Sequence, residues 1–152
     1  MATDTTVLKE LAARYQLTGN DFFKSPQGFV IITRTGIEKI MHKDEISVEY
    51  DLIRAHPTED SSQGDVIIKA KAYTKKPSEN DGDMRTYFAE SFGSANEHNC
   101  TVKTTRAGKK LPHYPVETAE KRAMARSVLK LTGFYKEGVF SEDESDDFKN
   151  QK

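Results

Sequence analysis

The sequence predicts an α+β fold: an antiparallel β-meander of three to five strands, packed with a long C-terminal helix and short N-terminal helices. Three observations carry this expectation. The run ISVEYDL at 46–52 alternates apolar and polar residues, as a half-buried strand does. DVIIKAKAY (65–73) and MRTYFAESF (84–92) flank TKKPSENDGD, whose Pro77, Asn80, Asp81 and Gly82 are turn residues, so the two runs read as a long hairpin. PVETAEKRAMARSVLKLTG (115–133) has helical period, proline in its first turn, Glu117 and Glu120 where the macrodipole favours acids, and glycine where the chain leaves the helix.

The remaining elements follow in order. In TTVLKELAARY, Val7, Leu8, Leu11, Ala12 and Tyr15 stand at helical spacing and predict a short amphipathic helix. A polar turn at Thr18 to Asp21 precedes FVIIT (29–33), a short β-branched run expected to be a buried strand. In TRTGIEKIMHK, Thr35 and Glu38 have capping-box spacing and Ile37, Ile40 and Met41 supply the apolar face of a second short helix. Along the first hairpin arm Lys69, Lys71 and Tyr73 share a face with Ile67, while Val66, Ile68, Ala70 and Ala72 share the other. From Phe92 to Pro115 the chain is polar and weakly patterned, expected to be a long loop in which CTVKTT is a candidate edge strand.

With 152 residues, 36% of them hydrophobic, the chain suits one domain with a modest core, expected over 1–140, followed by an acidic disordered tail over 141–152. MATDTTVLKE lacks the apolar centre of a signal peptide and no run reaches the length of a membrane span, so a cytoplasmic protein is expected. Cys100 is the sole cysteine; with His98 and His113 it does not make a zinc pattern, and no metal site or cofactor is expected. No phosphate-binding glycine loop, dinucleotide fingerprint or zinc-protease motif occurs, and the serines lack a nucleophile-elbow context. A binding protein rather than an enzyme is the expectation.

Charge is distributed unevenly. From His98 to Lys130 there are eight Lys/Arg against two acids, whereas SEDESDDFKNQK at the terminus carries five acids and two lysines. Such asymmetry fits a chain that binds a polyanion and masks itself with an acidic terminus, although it also describes an ordinary charged surface with a solubilising tail. Within the long helix Arg122, Arg126 and Lys130 stand four apart, so they form one ridge, set apart from the apolar side of Val116, Met124, Val128 and Leu131. The ridge spans about 12 Å, a length that suits consecutive phosphates. Lys103, Arg106, Lys109 and Lys110, in the loop, are placed to wrap the same backbone. Lys69, Lys71 and Tyr73 offer cations and a stacking ring. Lysine on an exposed strand face is equally ordinary.

The order of meander, loop and helix, with Ala119, Glu120, Arg122, Ala123, Arg126, Ser127, Val128 and Gly133 in the helix, resembles the single-strand annealing proteins of phage recombination, of the RecT/Bet and Erf kinds. The close match covers about 20 residues and the looser order of elements about 110, both within one chain of 152. The resemblance implies a homo-oligomer, a ring or filament, that holds single-stranded DNA extended for pairing without hydrolysing a cofactor. The tail would then compete with DNA for the ridge or present Phe148 to a partner recombination or replication protein. Two other readings stay open: a protein–protein interaction module with a basic docking face, and a small metal-dependent nuclease built on Glu59, Asp60 and Asp65.

Overall fold

The computed structural model describes residues 5–56, 65–96, 102–104, 106, 110–112 and 114–144. α1 (Thr5–Arg14) lays Leu8 and Leu11 on the main core and ends at Tyr15, which is buried against Phe134. A 3-10 turn, Gly19–Asp21, carries the reciprocal cap at Thr18: its hydroxyl accepts from the Asn20 N–H, and its own N–H donates to the Asp21 carboxylate at 2.8 Å. β1 (Phe22–Lys24), which the sequence did not signal, pairs antiparallel with β2 (Val30–Ile32), the core of the expected FVIIT strand.

α2 (Arg34–Lys43) starts earlier than the Thr35/Glu38 spacing suggests. Thr33 is its cap, extended in backbone, with its hydroxyl accepting from the Gly36 N–H at 3.1 Å, and Thr35 is left exposed. Ile37 and Ile40 are buried as expected.

The expected meander is present as β3 (Ser47–His56), β4 (Asp65–Pro77) and β5 (Met84–Asn96), antiparallel and in that spatial order. One face carries Val66, Ile68, Ala70 and Ala72, all buried. α3 (Pro115–Thr132) lies across it and ends at Gly133, whose φ of 90° is the left-handed conformation the sequence assigned to a glycine there. Contact between helix and sheet is unusually close because both surfaces are small: Ala119 and Ala123 of α3 sit on Gly93 and Ala95 of β5, all of them buried or nearly so. Larger side chains, including Val128, Leu129, Phe134, Ile32 and Ile40, fill the main core beside this seam.

Three expectations need correction. The segment 93–113 is not one loop: β5 runs on to Asn96, and β6 (Val102–Thr104) forms a separate two-stranded hairpin with β7 (Lys110–Pro112). Val116, expected on the apolar side of α3, is 47% exposed, because the buried stripe is turned toward Ala119, Arg122 and Ala123. The acidic terminus does not leave the fold at Ser141. β8 (Val139–Ser141) pairs parallel with β2, and a 3-10 turn over Glu142–Glu144 folds back on α3, so the domain extends at least to 144. Residues 145–152, with Phe148, lie outside the described residues.

Candidate nucleic-acid interface

The cationic file of α3 separates into two structural arginines and one surface lysine. Arg122, 2% exposed, donates Nε to the carbonyl of Asp143 and Nη1 to that of Ser94, each at 2.9 Å. Arg126 donates Nη1 to the carbonyl of Phe92 at 3.1 Å and pairs through Nε and Nη2 with the Glu144 carboxylate. Phe92 and Ser94 are alternate residues of an edge strand, so their carbonyls point away from β4 along the free edge of the sheet. Four residues of helix rise about 6.0 Å and two of strand about 6.6 Å, so arginines four apart meet carbonyls two apart. The spacing that suggested phosphates thus serves the edge of β5.

Arg122 and Arg126 are therefore withdrawn as DNA contacts, and the separation of a basic ridge from a core-facing side does not hold. The acid that α3 itself lacks comes from the strap over 142–144. The strap also reaches α2: Glu142 accepts from the Arg34 N–H at 2.7 Å, at the positive end of that helix, and Asp143 pairs with the Arg34 guanidinium at 3.4 Å.

Lys69, Lys71 and Tyr73 do share a face, as expected, and it is the one turned away from α3. Acids offset the lysines there. Lys69 pairs with Glu90 at 3.3 Å, and register sets Asp51 beside Lys69 and both Glu49 and Glu90 beside Lys71. The Lys71 ammonium also covers the ring of Phe88, 4.7 Å from its centroid. Around these two lysines a polyanion meets three acids, Glu49, Asp51 and Glu90. Of the loop cations, Arg106 is exposed between β6 and β7, register places Lys103 and Lys110 on the hairpin strands, and Lys109 lies outside the described residues, as do Glu59 and Asp60.

Lys130 has a different setting. It is exposed, 5.5 Å from the Tyr135 ring centroid, and it lines a cleft of about 610 Å³ between the ends of α1 and α3 and the far end of the β4–β5 hairpin. Arg14, Lys76, Arg85 and Lys130 line this cleft, with Glu79 as the acid among its described lining residues and Tyr87 on the strand wall. Sequence reasoning missed Arg14, Lys76, Arg85 and Tyr87, which stand on three separate elements. One signal was available: they sit where helical and strand patterns end.

No protein-family model, curated protein or solved structure matches the chain. Among the described residues no helix is long and apolar enough to cross a membrane, and no group of His, Cys, Asp and Glu has the arrangement of a metal site.

Asp44 supports the cleft from behind. Its Oδ2 accepts from the Tyr15 hydroxyl at 2.6 Å and from Lys76 Nζ at 2.8 Å. Burial pushes its carboxyl up, but the Lys76 and Tyr15 hydrogen bonds and the Lys76 charge outweigh that and hold it below the usual carboxylate range. Burial of Asp21 is likewise outweighed by the Thr18 N–H and by Lys39, whose Nζ lies 2.9 Å away. A depressed folded-state pKa adds stability that is present above the unfolded value near about 4 and lost as pH falls through the folded one. Thermal melts from pH 7 to pH 3 are expected to show a decline beginning below about pH 4. In Asp44→Asn that decline should be shallower; an unchanged acid profile would remove Asp44 as a source.

Proposed function

We propose that the chain binds single-stranded DNA without sequence preference and without covalent chemistry, in the manner of the phage annealing proteins it resembles. One observation carries the reading: four cations from α1, α3 and both arms of the hairpin converge on one cleft whose strand wall presents an aromatic ring. Phosphates neutralised by Lys and Arg release counterions, giving affinity that depends on salt and little on sequence. A three-stranded meander followed by the long helix is also the order of elements on which the resemblance rests.

Arg14 and Lys130 stand in the last turns of their helices, where a cation also offsets the macrodipole, so each has a local reason to be there. Lys76 and Arg85, facing each other across the hairpin, have ion partners in Asp44 and Asp81 and keep protons for further acceptors. Assembly into a homo-oligomer belongs to the same reading. It draws support from β3, an edge of the meander on which Leu52 is 63% and Ile53 53% exposed. Light scattering at the concentrations used for binding should then give a mass above the 17.2 kDa of one chain.

The deciding experiment is a gel shift with single-stranded and duplex oligonucleotides, with and without Mg²⁺. Retention of the single strand with neither oligonucleotide cut is the expected result; cleavage would move the chain to the nucleases, and no retention would end the reading. In Lys130→Ala and in Arg14→Ala the slope of log affinity against log salt should flatten by about 0.7 for each phosphate left without its cation. Because both side chains are exposed, melting temperature should stay within about 2 °C of wild type.

A further inference from the structure

The helix-facing side of β5 reads Arg85, Tyr87, Ala89, Ser91, Gly93, Ala95. Its small residues lie where α3 covers the strand, Ala123 above Gly93 and Arg126 beside Phe92. α3 runs toward the hairpin end as it approaches its own C-terminus, so Lys130 and Leu131 mark the limit of its cover, next to Ala89 in the cleft. Tyr87 is the first residue on this side beyond that limit. It is large where its neighbours under the helix are small, and it is 42% exposed in the cleft wall.

The ring is held on a rigid base. Tyr87 pairs across the ladder with Thr74, which is buried and donates its hydroxyl to the carbonyl of Asp44. Arg85 stands two residues away on the same side, with Lys76 opposite it, while Lys130 and Arg14 line the same cleft. Phe88, the adjacent aromatic, also borders the cleft, but register puts its side chain on the opposite face of the sheet, where its ring carries the Lys71 ammonium. Tyr87 thus offers a π-face amid cations that come from both sides of one cleft. A flat ring bounded by cations suits a nucleobase whose flanking phosphates are neutralised, and only an unpaired base can leave its stack to meet the ring.

We propose that Tyr87 stacks on an unpaired base of the bound strand and so makes the cleft selective for single-stranded over duplex DNA. This rests on the DNA-binding reading above and specifies how its site chooses a strand.

The test is fluorescence anisotropy with three probes of equal length: a labelled oligothymidylate, the same sugar–phosphate chain with abasic sites, and a duplex. Wild type should bind the oligothymidylate more tightly than the abasic chain. Tyr87→Ala should bind oligothymidylate about five- to a hundredfold more weakly while its affinity for the abasic chain is unchanged, and Tyr87→Phe should restore the difference. Equal wild-type affinity for the two single strands overturns the stacking role, and so does an equal loss on both in Tyr87→Ala. Failure of Tyr87→Phe to restore the difference overturns it too, whether or not the alanine variant folds. If wild type binds none of the probes, the DNA-binding reading itself has failed and stacking falls with it.

Discussion

Gly93→Ala is expected to cost the protein a large share of its stability, and Gly93→Val to abolish folding. A Cβ on Gly93 would stand 2.2 Å from the Ala119 carbonyl oxygen and 2.4 Å from the Ala123 nitrogen, distances that no relaxation of side chains can relieve because both atoms are helix backbone. α3 would have to lift from β5. Lifting it separates Ala119 and Ala123 from Ala70 and Ala95, and pulls Arg122 and Arg126 from the β5 carbonyls. Overpacking against movable side chains costs about 1–3 kcal/mol, so a clash with fixed backbone should exceed about 3 kcal/mol of a total near 5–15 kcal/mol. Urea unfolding of Gly93→Ala beside Gly19→Ala, where a Cβ meets nothing within 4 Å, separates crowding from the general effect of losing a glycine. Equal midpoints for the two variants would show that the seam yields.

The meander, the buried face of β4 and both ends of α3 were legible because each rests on local chemistry: alternation in β4, turn residues at 77–82, Pro115 and Gly133 at the helix ends. Along the alternating run that becomes β3, the apolar face is buried only at Ile46 and in part at Val48, while Tyr50 and Leu52 are exposed. What could not be read came from groups distant in sequence. β8 is three residues long and finds its partner β2 more than a hundred residues upstream, so its apolar pair Val139 and Phe140 looked like the end of the fold. Arg122 and Arg126 looked solvated because α3 contains no acid placed to neutralise them, while their acceptors lie on β5 and the strap. A helix wheel assigns arginine to water; the long side chain instead spans a layer of alanines and reaches the sheet edge. The run of glutamates and aspartates after Ser141 was misread for the same reason: composition signals a solvated tail, yet Glu144 is 3% exposed. The cleft was the least legible feature, since Arg14, Lys76, Arg85 and Lys130 are each ordinary in their own segments.

Removing the strap should therefore destabilise the domain rather than unmask it. Truncation after Phe140 takes away Ser141, the last residue of β8, and with it Glu142, Asp143 and Glu144. Arg122 loses its Asp143 acceptor and Arg126 its Glu144 carboxylate, while the N-terminus of α2 loses the Glu142 cap. Loss of one partner from a buried ion pair costs about 3–5 kcal/mol when the other charge stays buried. Arg126 is one-third exposed and recovers part of that cost from water, whereas buried Arg122 loses a main-chain carbonyl acceptor rather than an ion partner and keeps its bond to the Ser94 carbonyl. A fall in melting temperature of more than about 10 °C is expected, and truncation after Ser145, which keeps the strap, should retain the wild-type value. The pair itself is isolated by a cycle of Arg126→Met, Glu144→Leu and the double variant. Glu144 is the more buried partner, so Arg126→Met, which strands its charge, should destabilise more than Glu144→Leu, and the double variant should recover part of the loss. Additive effects would show that the two residues act independently. A truncation at Phe140 that melts like the full chain would return the acidic segment to the role of a dispensable tail.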